Sequence, residues 1–224
     1  MTTEKLGFIG LGTMGLPMSL NLLNAGNDLA IWGRNTHKLK DAITAGGQLM
    51  ANPRKLGETC EVIFLCVFDS VAVNEVVFGK NGIAKGASKN LMIVDHSSIH
   101  PEHTREMAKK LKKETGASWV DCPVSGGRYG ARDGTLVMMA GGRKKDINRL
   151  RPIVASTSQR LTHMGPVGCG QATKLVNQAV IGAEIAVLAE MFGFANRYGV
   201  KVKEIPDALA GGWADSTVLQ DHAR

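Results

Sequence analysis

Lys174 stands near the start of a long apolar stretch, one helical turn before Asn177 and Gln178. Partial burial, or a cationic ring close by, would lower its pKa and suit it to proton transfer. Taken alone, the same lysine also reads as an anchor snorkelling to solvent. Upstream, Ser125-Gly126-Gly127 offers a hydroxyl and two N–H groups free of bulky side chains. Those groups make a nest for a carboxylate, or an ordinary turn. At the other end of the chain, Gly10-Leu11-Gly12-Thr13-Met14-Gly15 follows a short apolar run and opens a helical pattern. This is GxGxxG in the setting where it carries meaning, after a strand and at the mouth of a helix. Gly10 allows the tight turn, Gly12 the approach of a pyrophosphate, and Gly15 close packing of helix on strand. The helix start presents unpaired N–H groups and a positive dipole end to an anion, so a dinucleotide is expected here.

The second strand decides which dinucleotide. An NAD site places Asp or Glu ~20 residues beyond the glycines to hold the ribose hydroxyls. This chain has Gly33-Arg34-Asn35-Thr36 at that point. Gly33 removes the carboxylate that would repel a 2′-phosphate, and Arg34 can pair with one through its fork of donors, unless it is simply a loop arginine. NADP is expected in preference to NAD. His96, His100 and His103 straddle a strand end and a helix start with no cysteine or carboxylate to complete a tetrahedral set, so no metal is expected.

These residues need a scaffold that brings strand ends together. Strands are expected near 5–9, 28–32, 61–67, 90–95, 117–122, 136–140 and 159–163, with helical patterns at 14–25, 37–45, 69–78, 101–115 and 143–156. Continuous apolar runs such as Val62-Ile63-Phe64-Leu65-Cys66-Val67 suit strands buried on both faces. The alternation predicts an α/β fold, a Rossmann-type doubly wound, mainly parallel sheet with its ligand at the carboxyl ends of the strands. Pro101 at the first turn of its helix and Gly116 just past its end are stop signals. Cys66 and Cys122 fall inside expected strands and suit core packing, and Trp119 and Trp213 suit a core or an interface.

Beyond Gly165 the pattern changes. Residues 170–198 form one uninterrupted helical pattern, about 43 Å long at 1.5 Å per residue. It leads into an all-α second domain, so the domains are placed at 1–164 and 165–224. From Val176 to Phe194 the pattern is apolar nearly all round, which calls for burial on several sides. A partner subunit and further helices of the same protein are both expected to cover it, and a homo-oligomer (dimer or tetramer) is expected. Asn177, Gln178, Glu184 and Glu190 interrupt the apolar surface, which argues against a membrane span.

Composition fits this outline. The chain has 224 residues, 44% hydrophobic and 21% charged. Its 27 basic and 20 acidic residues leave a net charge of +7, compatible with a phosphate-bearing ligand. The densest basic run, Lys109-Lys110-Leu111-Lys112-Lys113, reads as a solvated helix face, and with only 5% aromatic residues nucleic acid is not the expected partner. Four cysteines without framework spacing, and no secretory signal, point to a cytoplasmic protein.

Taken together, the motifs resemble those of the β-hydroxyacid dehydrogenase family, which includes 3-hydroxyisobutyrate dehydrogenase and tartronate semialdehyde reductase. The opening matches the family's GLGxMGxxMSxNL, and Asp95-His96-Ser97-Ser98 is similar to its DxS(S/T). Asp121 to Thr135 resembles its DAPVSGG…GTL, with Cys122 in place of alanine, and Gly168 to Gln178 its GxGxxxKxxN(N/Q). Gly211 to Leu219 is similar to a stretch of the tartronate semialdehyde reductase branch. The resemblance implies hydride transfer between NAD(P) and the hydroxyl-bearing carbon of a small β-hydroxy acid, run as reduction of a semialdehyde such as tartronate semialdehyde (2-hydroxy-3-oxopropionate). By the same resemblance Lys174 is the general acid/base, Ser125, Gly126 and Gly127 hold the substrate carboxylate, and Asn177 or Gln178 orients the lysine or the hydroxyl. Cys66, Val67, Ser97 and Ser98 would line the cofactor path. Phe68 stands where many relatives have proline. The family's second domain continues past this chain's last residue and carries a further lysine, so the second domain is expected to be incomplete. Two alternatives stand beside this reading. One is a 6-phosphogluconate-dehydrogenase-like enzyme, disfavoured because Asn177-Gln178 replaces His-Asn after the lysine. The other is a non-catalytic NADP-binding protein acting through its basic surface.

Overall fold

Strands with no solvent-facing side dominate the first part of the chain. Leu6–Ile9, Val62–Leu65, Met92–Asp95 and Ser118–Asp121 are buried at every residue, and such strands need cover on both faces. The structure, a computed structural model, describes residues 4–222. In chain order the elements are β1 (Leu6–Ile9), α1 (Gly15–Asn24), β2 (Leu29–Trp32), α2 (Lys40–Thr44), β3 (Gln48–Leu49), α3 (Pro53–Thr59), β4 (Val62–Leu65), α4 (Ser70–Phe78) and β5 (Met92–Asp95). There follow α5 (Pro101–Thr115), β6 (Ser118–Asp121), β7 (Val124–Ser125), α6 (Gly127–Asp133), β8 (Leu136–Gly141), α7 (Lys144–Ile153), β9 (Ser158–Gly165), α8 (Cys169–Arg197), α9 (Ile205–Leu209) and α10 (Thr217–His222).

The sheet runs β3-β2-β1-β4-β5-β6-β8-β7, with β9 on β8. From β3 to β6 every pairing is parallel, and β8 joins β6 antiparallel. The parallel part has the doubly wound order, whose direction reverses between β1 and β4 and opens a crevice at their carboxyl ends. Alternate residues of each strand feed two apolar layers. Phe8, Phe64, Val62 and Val94 pack with Met18 and Leu22 of α1 and with Ile147 and Leu150 of α7. Ile63, Leu65 and Ile93 pack with Leu56 of α3, Val73 and Val77 of α4, and Met107 and Leu111 of α5. Each such side chain contributes roughly 1.5–3 kcal/mol by burial. Trp119 belongs to the second layer and is 3% exposed.

Helix boundaries follow local chemistry. Asn52 and Asp69 cap α3 and α4 by accepting the N–H groups of Lys55 and Ala72. Pro101 opens α5, and Gly116 closes it at φ +79°. The expected helix over 37–45 is a 3-10 turn, Thr36–Leu39, followed by α2, and the one over 143–156 passes into 3-10 at Val154. The seven expected strands are present, while β3, β7, α3 and α6 were not anticipated. They span two to seven residues, too short for periodicity to register. Cys66 and Cys122 lie just past the ends of β4 and β6 rather than inside strands. Cys122 is buried and Cys66 half-buried.

The chain divides into two units, Met1–Lys174 and Leu175–Arg224, so the first reaches into α8, past the boundary expected at residue 164. The reason is that the first turns of α8 are bonded to the strand ends, through Asp121 of β6 and Val124 of β7. In the second unit Leu219 is fully buried and Ser216 donates its hydroxyl to the Glu184 carboxylate. Asp215 accepts the Gly211 N–H and the Gln220 side-chain amide. Val176, Val180, Val187 and Met191 along α8 are exposed among the described residues, as is Trp213, which packs in no core. By length and composition alone α8 is apolar enough to cross a membrane.

Candidate active site

The turn after β1 is built by what its glycines lack. A Cβ on Gly10 would lie 2.2 Å from the Cys66 carbonyl oxygen, and one on Gly15 would lie 2.0 Å from that of Gly10. Both close approaches are backbone on backbone, so neither position accepts a side chain. Gly12 differs: a Cβ there meets nothing within 4 Å. Its side is open, where a pyrophosphate must come close. No side chain caps α1, and no acidic residue occupies its first turn, so its N-terminus keeps donors and positive potential for an anion. Leu11 and Gly15 are buried, Met14 is half-buried, and Gly12 and Thr13 are exposed. These residues fit a dinucleotide.

At the end of β2, Gly33 is pressed against Leu39, and Arg34, Asn35 and Thr36 are exposed. Asn35 accepts the His37 N–H, and Thr36, His37 and Lys40 help line a surface hollow. Arg34 forms no ion pair among the described residues.

The loops after β4 and β5 close on the crevice together. Cys66 donates its N–H to Ile9, and Val67 donates its N–H to the Ser97 hydroxyl at 3.0 Å. Burial pushes the Cys66 thiol up to about 12 and raises that of Cys122 further. Phe68 is 91% exposed on this loop. Ser97 is buried and donates its N–H to Asp95 Oδ1 at 2.9 Å, while Ser98 is exposed. His96 is buried too. Its ring stacks on Phe64 at 5.5 Å, and its Nδ1–H donates to the Cys122 carbonyl at 2.6 Å. Burial lowers its pKa to about 4, so the ring is neutral.

Asp95 and Asp121 stand in register on β5 and β6, both without exposure. Burial, with Asp121 adding to it, pushes Asp95 up to about 7, and Asp95 Oδ2 has no protein partner among the described residues. Asp121 is also raised by burial, opposed by the N–H groups it accepts. Its Oδ1 takes the N–H of Gly168 at 2.7 Å and its Oδ2 that of Gln171 at 2.9 Å. The carboxylate therefore caps α8 from a neighbouring strand.

Lys174 lies one turn further along α8, half-buried, with Nζ donating to the Val124 carbonyl at 2.9 Å. Burial lowers its pKa below the usual lysine value. Val124 begins β7, and Ser125, Gly126 and Gly127 follow it into α6, with Gly126 and Gly127 at φ +122° and +59°. The amine and the expected carboxylate nest are thus held together within the first unit. Asn177 and Gln178 lie further along α8, in the second unit. Sequence reasoning gave no role to Asp95, Asp121 or Gln171. Two aspartates each ending a buried strand were the available signal.

The sheet order and the glycine turn define a dinucleotide-binding domain of Rossmann type. A family model described as the NAD binding domain of 6-phosphogluconate dehydrogenase matches residues 5–165. A second, described as NAD-binding of NADP-dependent 3-hydroxyisobutyrate dehydrogenase, matches residues 168–224. The 2-hydroxy-3-oxopropionate reductase of Escherichia coli K12 is 38% identical over 218 residues, covering 97% of this chain and 74% of the relative. Among solved structures, 3-hydroxyisobutyrate dehydrogenase of Mycobacterium tuberculosis with L-serine superposes with a TM-score of 0.90 at 25% identity, over 99% of this chain and 75% of that one. A protein named Psf3, in complex with NADP+ and 2-OPP, gives 0.87 at 26% identity, over 96% and 76%. The chain belongs to the β-hydroxyacid dehydrogenase family of NAD(P)-dependent oxidoreductases.

Two predictions follow from this geometry. Gly12→Ala adds a methyl group that touches no protein atom, so its thermal midpoint should match the wild type while the Kd for NADPH rises about tenfold or more. Fluorescence titration measures this, and unchanged affinity would remove the pyrophosphate from the turn. The second concerns pH. With a folded pKa of about 7 against an ordinary 3.9, Asp95 contributes stability that is full below about pH 4 and gone above about pH 7. His96, depressed to about 4, works oppositely: its contribution is present above about pH 6.5 and lost as pH falls through 4. Subtracting the Asp95→Asn variant cancels the histidine. The wild-type advantage should then decline between pH 4 and 7 by up to about 1.4 kcal/mol per pH unit in urea unfolding. A difference flat with pH would show that Asp95 ionises normally.

Proposed function

We propose that this protein interconverts a small β-hydroxy acid and its semialdehyde, acting as a reductase on a semialdehyde such as 2-hydroxy-3-oxopropionate. The observation that carries the reading is the Lys174 amine, half-buried and held 2.9 Å from the Val124 carbonyl, next to Ser125-Gly126-Gly127. When bound, the nicotinamide supplies or accepts the hydride. The Ser125 hydroxyl and the N–H groups of Gly126 and Gly127 take the substrate carboxylate, which fixes one end of a short molecule. Lys174 gives a proton to the developing alkoxide oxygen in reduction and removes one from the hydroxyl in oxidation. Its lowered pKa brings the neutral amine, the form that accepts a proton, to lower pH than for an exposed lysine. The orienting role given to Asn177 or Gln178 belongs to the same proposal. NADP is the preferred coenzyme, on the support of an exposed Arg34 that forms no ion pair among the described residues and of Gly33 where a carboxylate would stand. The similarity to a 2-hydroxy-3-oxopropionate reductase supports the substrate class.

Lys174→Ala should lose about 10²–10⁴-fold in kcat on 2-hydroxy-3-oxopropionate, followed at 340 nm, with NADPH affinity within a factor of about three. Full activity in that variant would end the lysine's role. In the same titrations NADPH should bind at least about tenfold tighter than NADH, and Arg34→Ala should erase the difference. Equal affinities in the wild type would take the 2′-phosphate away from Arg34.

A further inference from the structure

Gln171 is 1% exposed at the base of α8, one turn before Lys174. Its backbone N–H is held by Asp121, and its side chain reaches the other way. Oε1 accepts the Ile99 N–H at 3.2 Å, and Nε2 donates to the Ser97 carbonyl at 2.7 Å. Ser97 in turn holds the Val67 N–H through its hydroxyl. One residue thus bonds to the turn 97–99 by its side chain and to the end of β6 by its backbone. Its neighbour leaves no slack: a Cβ on Gly170 would lie 2.4 Å from the Met139 carbonyl oxygen and 2.6 Å from that of Asp121. A side chain that only filled space here would be apolar, because burying an amide is unfavourable unless both its ends are bonded. Both ends of this one are.

We infer that Gln171 is a positioning residue whose amide locks the 97–99 turn of the coenzyme crevice to the base of α8, and so sets the spacing between that crevice and the Lys174 amine. The inference rests on the reading of Lys174 given above. It explains why the donor and the acceptor of one side chain both go to main-chain groups of a single turn. Such a pair fixes the position of the turn along and across the amide plane, as an apolar contact would not.

The test uses the full chain with two variants and two readouts. Gln171→Met keeps the volume and removes both bonds. Gln171→Glu keeps the acceptor and recovers the donor only while its carboxyl is protonated. The first readout needs no substrate: the rate at which trinitrobenzenesulfonate modifies Lys174, followed by peptide mass spectrometry with and without NADPH. In Gln171→Met that rate should change by about threefold or more, and the response to NADPH should shrink. The second is turnover, where kcat should fall about tenfold or more with the KM for NADPH within about threefold. For Gln171→Glu the kcat relative to wild type should recover as pH falls from about 8 to about 6. The neighbouring ionisable groups Asp95, His96 and Asp121 are common to both proteins, so the ratio isolates residue 171. Should Gln171→Met not fold, Gln171→Glu at low and high pH carries both measurements. Wild-type labelling and kcat in folded variants with only a lowered Tm would overturn the inference and leave a packing role. A wild type inactive on every β-hydroxy acid and semialdehyde would overturn the functional reading instead, and the labelling would still decide the spacing.

Discussion

Two carboxylates end neighbouring strands with no access to water, and the site is arranged around how they are satisfied. Asp121 is met by the N–H groups that begin α8, so a buried charge and an uncapped helix end resolve each other. Asp95 is met on one oxygen by the Ser97 N–H, and burial raises its pKa from the ordinary carboxylate range to about 7. Replacing either aspartate by an apolar residue would leave backbone donors without partners at the point where two loops and a helix converge. The parallel sheet forces this convergence, because its carboxyl ends gather the loops on one side.

From that junction the rest of the site follows in short steps. The base of α8 is held, so Lys174 emerges at a defined place and its amine reaches the Val124 carbonyl. The turn carrying Ser97 is held by Gln171, so Val67 and the loop after β4 are held as well. That loop backs onto Gly10, whose missing side chain admits the Cys66 carbonyl. The coenzyme turn and the amine are thereby parts of one connected framework within the first unit.

Much of this was legible in the sequence because it is written in local patterns. The buried strands announce themselves as apolar runs, α5 by Pro101 and Gly116, and the coenzyme turn by three glycines at fixed spacing. The lysine and the serine-glycine turn were visible as residue types in sequence order, but their closeness was not, since it depends on Val124 and α8 meeting in space. Although Asp95 and Asp121 each ending a buried strand was a signal, the bonds that Gln171 and Asp121 make were hidden for the same reason. Their partners lie 74 and 47 residues away in the chain, and a glutamine in a helix or an aspartate at a strand end carries no periodicity. The short elements β3, β7, α3 and α6 were missed because a few residues cannot establish a repeat.

The sulfur of Cys66 lies in the loop bordering the coenzyme crevice. Its surroundings keep it protonated far beyond cellular pH, as they do Cys122, and a thiol without thiolate character is a poor nucleophile. Electrophiles and oxidants that titrate reactive cysteines therefore find little to attack there. The molecule can trade reducing equivalents with its coenzyme while the sulfurs of Cys66 and Cys122 stay spectators.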